Sequence, residues 1–238
     1  MSSPPDPEVI LYDLACTKNI CFSPVVWRIR LLLNYKRIPY RTIFLEFPDI
    51  EPTLQNLTKN TPTQSRQSTT PPPPPSSWTP SPSRTSSSQH TPARLTSPFS
   101  PVPDPALETR IRAASGPVLL RSIMPREIRI LCPRAAEYFR RSREAGLNGA
   151  KLEDVLEGEE ERWEDAREGL RGLDEELKGI MAGGRFLGGE TPCMTDFFIA
   201  GSLQSARTVD EGVFRRAVVV ESYKVIYEAC LPWMERND

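Results

Sequence analysis

Histidine is nearly absent from this chain of 238 residues: there is one, His90. That argues against a histidine metal centre and a histidine-based catalytic site. The five cysteines show no Cys-x-x-Cys spacing and no histidine partner, so neither a zinc site nor a disulfide framework is expected, and a reducing, cytoplasmic setting is. An excess of one charge is missing too. Thirty Lys and Arg against 31 Asp and Glu leave a formal net charge of −1, which speaks against nucleic acid as a partner. No apolar run approaches the roughly 20 residues that span a bilayer, and Met1 to Glu8 has neither the basic start nor the apolar stretch of a secretion signal. The expectation is a soluble protein with no metal, no membrane and no nucleic acid.

What is present in excess is proline. Of 25 prolines, thirteen lie between residues 60 and 105. The run Pro71 to Pro75 and the Ser/Pro alternation of Ser76 to Ser83 lack backbone donors and apolar mass, so this segment cannot repay the entropy of ordering. The chain is therefore expected to divide into a folded unit over 1–58, a disordered Pro/Ser/Thr tract over 59–105 and a second folded unit over 106–238.

In the first unit Val9-Ile10-Leu11-Tyr12 reads as a buried strand. Ser23 is a helix N-cap with Pro24 at the first helical position. Val26, Ile29 and Leu33 recur on one face, Arg28, Arg30 and Lys36 face outward, and the helix stops before Pro39. Arg41 to Phe47 is β-branched and aromatic and reads as a second strand, ended by Pro48-Asp49. Strand, helix and strand in so short a span assemble as a right-handed βαβ unit with parallel strands. The second unit is helical. Leu107, Ile111, Ala114 and Val118 mark a first helix that Pro117 and Pro125 kink or divide. Leu152 to Met181 forms a long second helix whose stripe runs through Trp163, Leu170, Leu173 and Leu177, with Glu157 to Glu161 on a solvated face. Gly183-Gly184 stops it. Asp196 to Arg207 is a buried central helix, and Tyr223 to Met234 is a last amphipathic one.

Leu11-Tyr12-Asp13, Cys21 to Arg28, Leu33 to Lys36, Pro39-Tyr40 and Phe47 to Glu51 resemble the thioredoxin-like domain of cytosolic glutathione transferases, in particular their fungal etherase-like branch. Ala113 to Pro117, Pro133 to Arg140, Phe186 to Gly189, Thr195 to Phe198 and Tyr227 to Trp233 are similar to that family's helical domain. The resemblance implies an α/β thioredoxin-like domain, truncated here to βαβ, followed by an all-α domain. It implies glutathione and a small electrophile as partners, with conjugation or glutathione-dependent ether cleavage as the reaction, a detoxifying role and a homodimer. Ser23 stands where the family places the group that hydrogen-bonds the glutathione sulfur, and Phe22, Ser23 and Trp27 form the implied glutathione site. Ser23 also has a purely structural reading as a cap. Cys21 reads either as a sulfur-activating residue or as a small buried hydrophobe, and Trp27 as a packing residue or a ligand-stacking one.

The family's Val-Pro with its cis peptide and its acidic-Ser pair, which hold glutathione, have no counterpart between Leu57 and Leu107. Shifted by one base, however, the tract permits both. Gln64 to Ser68 can become Thr-Val-Pro-Ala-Ile, and Ser77 to Pro80 can become Ile-Met-Asp-Ser. Impaired activity is the corresponding expectation, with a non-enzymatic binding or scaffold protein, or a proline-rich docking tract, as the alternative. At the start of the central helix Cys193 replaces the usual Ser/Thr cap, an expected loss of about 1 kcal/mol.

Overall fold

The structure, a computed structural model, describes residues 9–59 and 98–237; the central part of the Pro/Ser/Thr tract lies outside them. Strand β1 (Val9–Leu14) pairs in parallel with β2 (Tyr40–Leu45), Val9 opposite Tyr40 and Leu14 opposite Leu45. Between them runs α1 (Pro24–Tyr35), started by Ser23 in an extended conformation whose hydroxyl accepts the Val26 N–H. Among the described residues the sheet has two strands. The expected βαβ unit is present.

Three local expectations are corrected. The second strand ends at Leu45, and Phe47–Lys59 is a helix, α2: Pro48 in its first turn has no N–H to lose, and Asp49 favours the helix start electrostatically. The buried face of α1 is Trp27, Arg30, Leu31 and Leu33, while Ile29 is 39% exposed. Arg30 thus points inward, because Asp13 of β1 waits there with a carboxylate. Arg28 is three-quarters covered and paired with Glu108.

The helical unit comprises α3 (Leu107–Glu127), α4 (Pro133–Gly146), α5 (Glu159–Met181), α6 (Met194–Val209), α7 (Glu211–Ala217) and α8 (Glu221–Cys230). Pro117 lies inside α3 without dividing it, and Pro125 sits two residues before its end. The long helix expected from Leu152 breaks at Gly158, whose φ of 67° is left-handed; Glu153–Leu156 is a short 3-10 turn and α5 begins at Glu159. Nor is the acidic run wholly solvated. Glu159 is buried and accepts from both terminal guanidinium nitrogens of Arg126 at 2.8 Å. Helix α5 ends in left-handed Ala182 and Gly183, as the Gly pair requires.

Helix α6 is the buried centre, with Phe197, Ile199, Ala200 and Leu203 at most 2% exposed. Gly201 lets α1 lie directly on it: a Cβ there would stand 3.1 Å from the Arg28 nitrogen and from the Trp27 Cβ. Pro98 and Phe99, which the sequence places in the tract, lie along this junction. Phe99 packs on Tyr35 and Phe197, and Ser100 donates its N–H to the Pro192 carbonyl. No described helix is long and apolar enough to cross a membrane.

Candidate functional site

The loop from Ala15 to Phe22 delivers Ser23 to the start of α1, and it is pinned from three directions. Ala15 N–H donates to Leu45 of β2 at 2.8 Å, Thr17 N–H to Ile130 of the helical unit at 2.8 Å, and Cys21 N–H to Asn237 at 2.9 Å. Cys21 then returns its carbonyl to the Trp27 indole N–H at 3.0 Å. Ser23 is therefore held between a fixed peptide and the first turn of a helix that rests on α6.

At that turn Ser23 is 8% exposed, and its Oγ accepts the Val26 N–H at 3.4 Å. Its carbonyl accepts the Trp27 N–H at 2.9 Å. Pro24 has no N–H, and the Val25 N–H has no acceptor among the described residues. A helix start with an unspent donor and a hydroxyl capable of donating is suited to a sulfur anion.

The neighbouring residues are core. Phe22 is 1% exposed and packs among Ile130, Leu131, Phe139 and Leu152. Trp27 is fully covered, with Leu31 and Ala200 in the same cluster. Cys21 is fully buried too; desolvation, then the nearby Asp13 charge, pushes its thiol well above the ordinary range. This favours the small-hydrophobe reading of Cys21 over a reactive one, since the thiolate is the nucleophile. Among the described residues no group of His, Cys, Asp and Glu is arranged to hold a metal.

Sequence reasoning missed the polar arrangement beneath this turn. Arg30 and Asp13, both fully buried, pair at 2.9 Å. Arg30 also donates to the Tyr40 hydroxyl at 3.3 Å and to Thr42 Oγ1 at 3.2 Å. The Tyr40 hydroxyl in turn donates to Asn34 Oδ1 at 2.9 Å. A carboxylate closing an apolar strand and an arginine in the α1 stripe were the signals, and only their spatial meeting makes them legible. At the start of α6, Asp196 accepts the N–H groups of Cys193 at 2.7 Å and Leu187 at 2.9 Å. Burial pushes its carboxyl up and these N–H donors oppose that. Both halves of the expected capping box are thus in place although Cys193 occupies the cap, its sulfur facing the Asp196 N–H.

Residues 105–217 match the family of the glutathione S-transferase C-terminal domain. The chain is 28% identical over 244 residues, covering 90% of this chain and 85% of the relative, to the glutathione S-transferase-like protein ustS of Aspergillus flavus. Its fold is similar to that of the glutathione transferase GSTFuA3 of Phanerochaete chrysosporium, with a TM-score of 0.70 at 21% identity over 96% of this chain and 98% of that one. It is also similar to the glutathione S-transferase CsGST83044 of Ceriporiopsis subvermispora, solved in complex with glutathione, with a TM-score of 0.65 at 20% identity over 94% and 96% of the two chains. The fold of this chain is thus similar to that of solved glutathione transferases, and residues 105–217 match the model of that family's C-terminal domain.

Proposed function

We propose that this chain binds glutathione at the start of α1, with the Ser23 hydroxyl donating to the sulfur and the helix end holding its negative charge. The observation that carries this reading is Ser23 itself, pinned by its flanking peptide at a helix N-terminus beside the unspent Val25 N–H. Phe22 and Trp27 serve the same site from the core, by fixing the loop and the first turn. The structural relative solved with glutathione supports the choice of ligand.

The reaction we assign is glutathione transfer to a small electrophile, or glutathione-dependent ether cleavage as in the etherase-like branch, in a cytoplasmic, detoxifying and homodimeric setting. Catalysis in this chain is weak, because the groups that would grip the rest of the peptide are missing from the sequence between Leu57 and Leu107. We attribute their loss to a reading-frame shift across the tract. Sequencing the transcript tests that: an abundant message encoding Pro71 to Pro75 in frame refutes it.

A second reading is favoured by the two-stranded sheet among the described residues, since so small a sheet is marginal as a scaffold for catalysis. In it the helical unit serves as a non-enzymatic binding module. Calorimetric titration of the intact chain with glutathione separates the two. Saturable one-to-one binding supports the glutathione reading; no binding up to about 10 mM, which means affinity weaker than about −2.7 kcal/mol, leaves the binding module.

A further inference from the structure

We propose that the segment Trp233–Asn237 is a strap that positions the glutathione site, acting through Asn34 and Arg236 on the peptide of Cys21 and so on Ser23. The strap is anchored at one end in the helical unit and reaches the βαβ unit at the other. Met234 is buried, and the Trp233 ring lies against Tyr35 at 4.7 Å and against Phe186 and Phe197 at 5.9 Å. From there the chain crosses to β2. The Arg236 guanidinium donates to the Tyr40 carbonyl at 2.7 Å and lies 3.8 Å from the centre of the Tyr40 ring. Asn34, at the end of α1, donates through Nδ2 to the carbonyls of Trp233 at 2.7 Å and Arg236 at 3.1 Å.

The far end of the strap reaches the site loop. The Asn237 carbonyl accepts the Cys21 N–H at 2.9 Å. Cys21 is fully buried, so this N–H depends on that carbonyl for its acceptor. With the Trp27 indole held on the Cys21 carbonyl, the peptide two residues before Ser23 is fixed on both sides. Release of the strap frees one of those sides and lets the hydroxyl leave its place at the helix start. Asn34 and Arg236 are thus positioning residues: neither needs to touch a ligand to matter.

The consequence for glutathione rests on the Ser23 reading, whereas the mechanical link does not, and two measurements keep them apart. Asn34→Asp retains the acceptor for Tyr40 but sets a carboxylate against two carbonyls. Arg236→Ala removes a side chain that is itself exposed but covers the Tyr40 ring. Each variant is expected to speed hydrogen exchange at the Cys21 amide by at least about tenfold while Leu173 and Leu177 in α5 keep their protection. Unchanged exchange at Cys21 in both variants overturns the strap. Glutathione titration of Arg236→Ala is expected to show binding weakened by at least about threefold with the cooperative melt retained; unaltered binding despite faster exchange overturns its positioning role. If the parent chain itself fails to bind glutathione, the Ser23 reading falls and the exchange measurement still decides the strap.

Discussion

In the helical unit Leu173, Leu177, Phe197, Ile199, Ala200 and Leu203 belong to one large buried cluster, whereas the apolar core belonging to the βαβ unit alone is Leu11, Leu33 and Tyr40. The rest of the inward surface of α1, Trp27 and Leu31, belongs to the helical cluster. Beneath α1 sits a charge pair, Arg30 and Asp13. The Pro/Ser/Thr tract marks a compositional boundary, yet energetically α1 is part of the helical unit. The candidate site inherits this dependence: Ser23 is placed by α6 through Gly201 and by Asn237 through Cys21.

The largest effect that would break this comparison is separation of the two units. The fragment 105–238 should fold as a helical unit with a cooperative melt, and the fragment 1–59 should be unfolded, because so few buried residues cannot offset chain entropy. Circular dichroism of the two fragments checks this. A cooperative melt from 1–59 would mean that the βαβ unit is self-sufficient.

Next in size is the contrast between the two units' charge pairs. Asp13→Ala leaves the Arg30 guanidinium charged at full burial and should cost about 3–5 kcal/mol in urea denaturation. Glu159→Ala exposes the less covered Arg126, which keeps a contact with Asp210 at 3.1 Å, and should cost about 1–3 kcal/mol. Equal costs would erase the distinction between a pair on which one unit rests and a pair that ties helices already packed.

How far the sequence reveals this follows from the range of each interaction. Ser23-Pro24 announces α1 because a cap acts within one turn, and the apolar run after Asp196 announces α6 because burial all round leaves no periodic gap. Helix α2 is hidden because Phe47-Pro48-Asp49 serves equally to end a strand or to start a helix. The break at Gly158 is hidden because the Leu152–Ile180 stripe continues across it. Arg30 reads as outward-facing until Asp13, 17 residues earlier, supplies its partner. Glu159 reads as solvated until Arg126, 33 residues earlier, does the same. For the site, the position of Ser23 is legible; the Asn237 carbonyl that fixes its flanking peptide is a contact over 216 residues that no local pattern encodes.

A smaller effect tests the apolar side of the comparison. Burial pushes the Glu127 carboxyl up to about 7, with Arg143 opposing it. A raised carboxyl binds its proton more tightly in the folded chain than in the unfolded one. Stability from this group is therefore present at pH values below its ordinary range of about 4.5 and falls as pH rises toward 7. Glu127→Gln should melt later than the parent chain at pH 8, with the difference fading at pH 5. An equal melting temperature at pH 8 would show Glu127 to be solvated.

The central claim is that Ser23 acts on a sulfur and does not merely cap α1. Its most direct test is the pH titration of glutathione thiolate absorbance in complexes of the parent chain and of Ser23→Ala. The bound thiol pKa is expected to rise by about one to two units in the variant, about 1.4–2.7 kcal/mol of lost thiolate stabilisation, beside the roughly 1 kcal/mol of folding stability that loss of the Val26 cap bond costs in either case. A variant that loses about 1 kcal/mol of stability yet titrates its bound thiol like the parent would contradict the claim and leave Ser23 a structural cap.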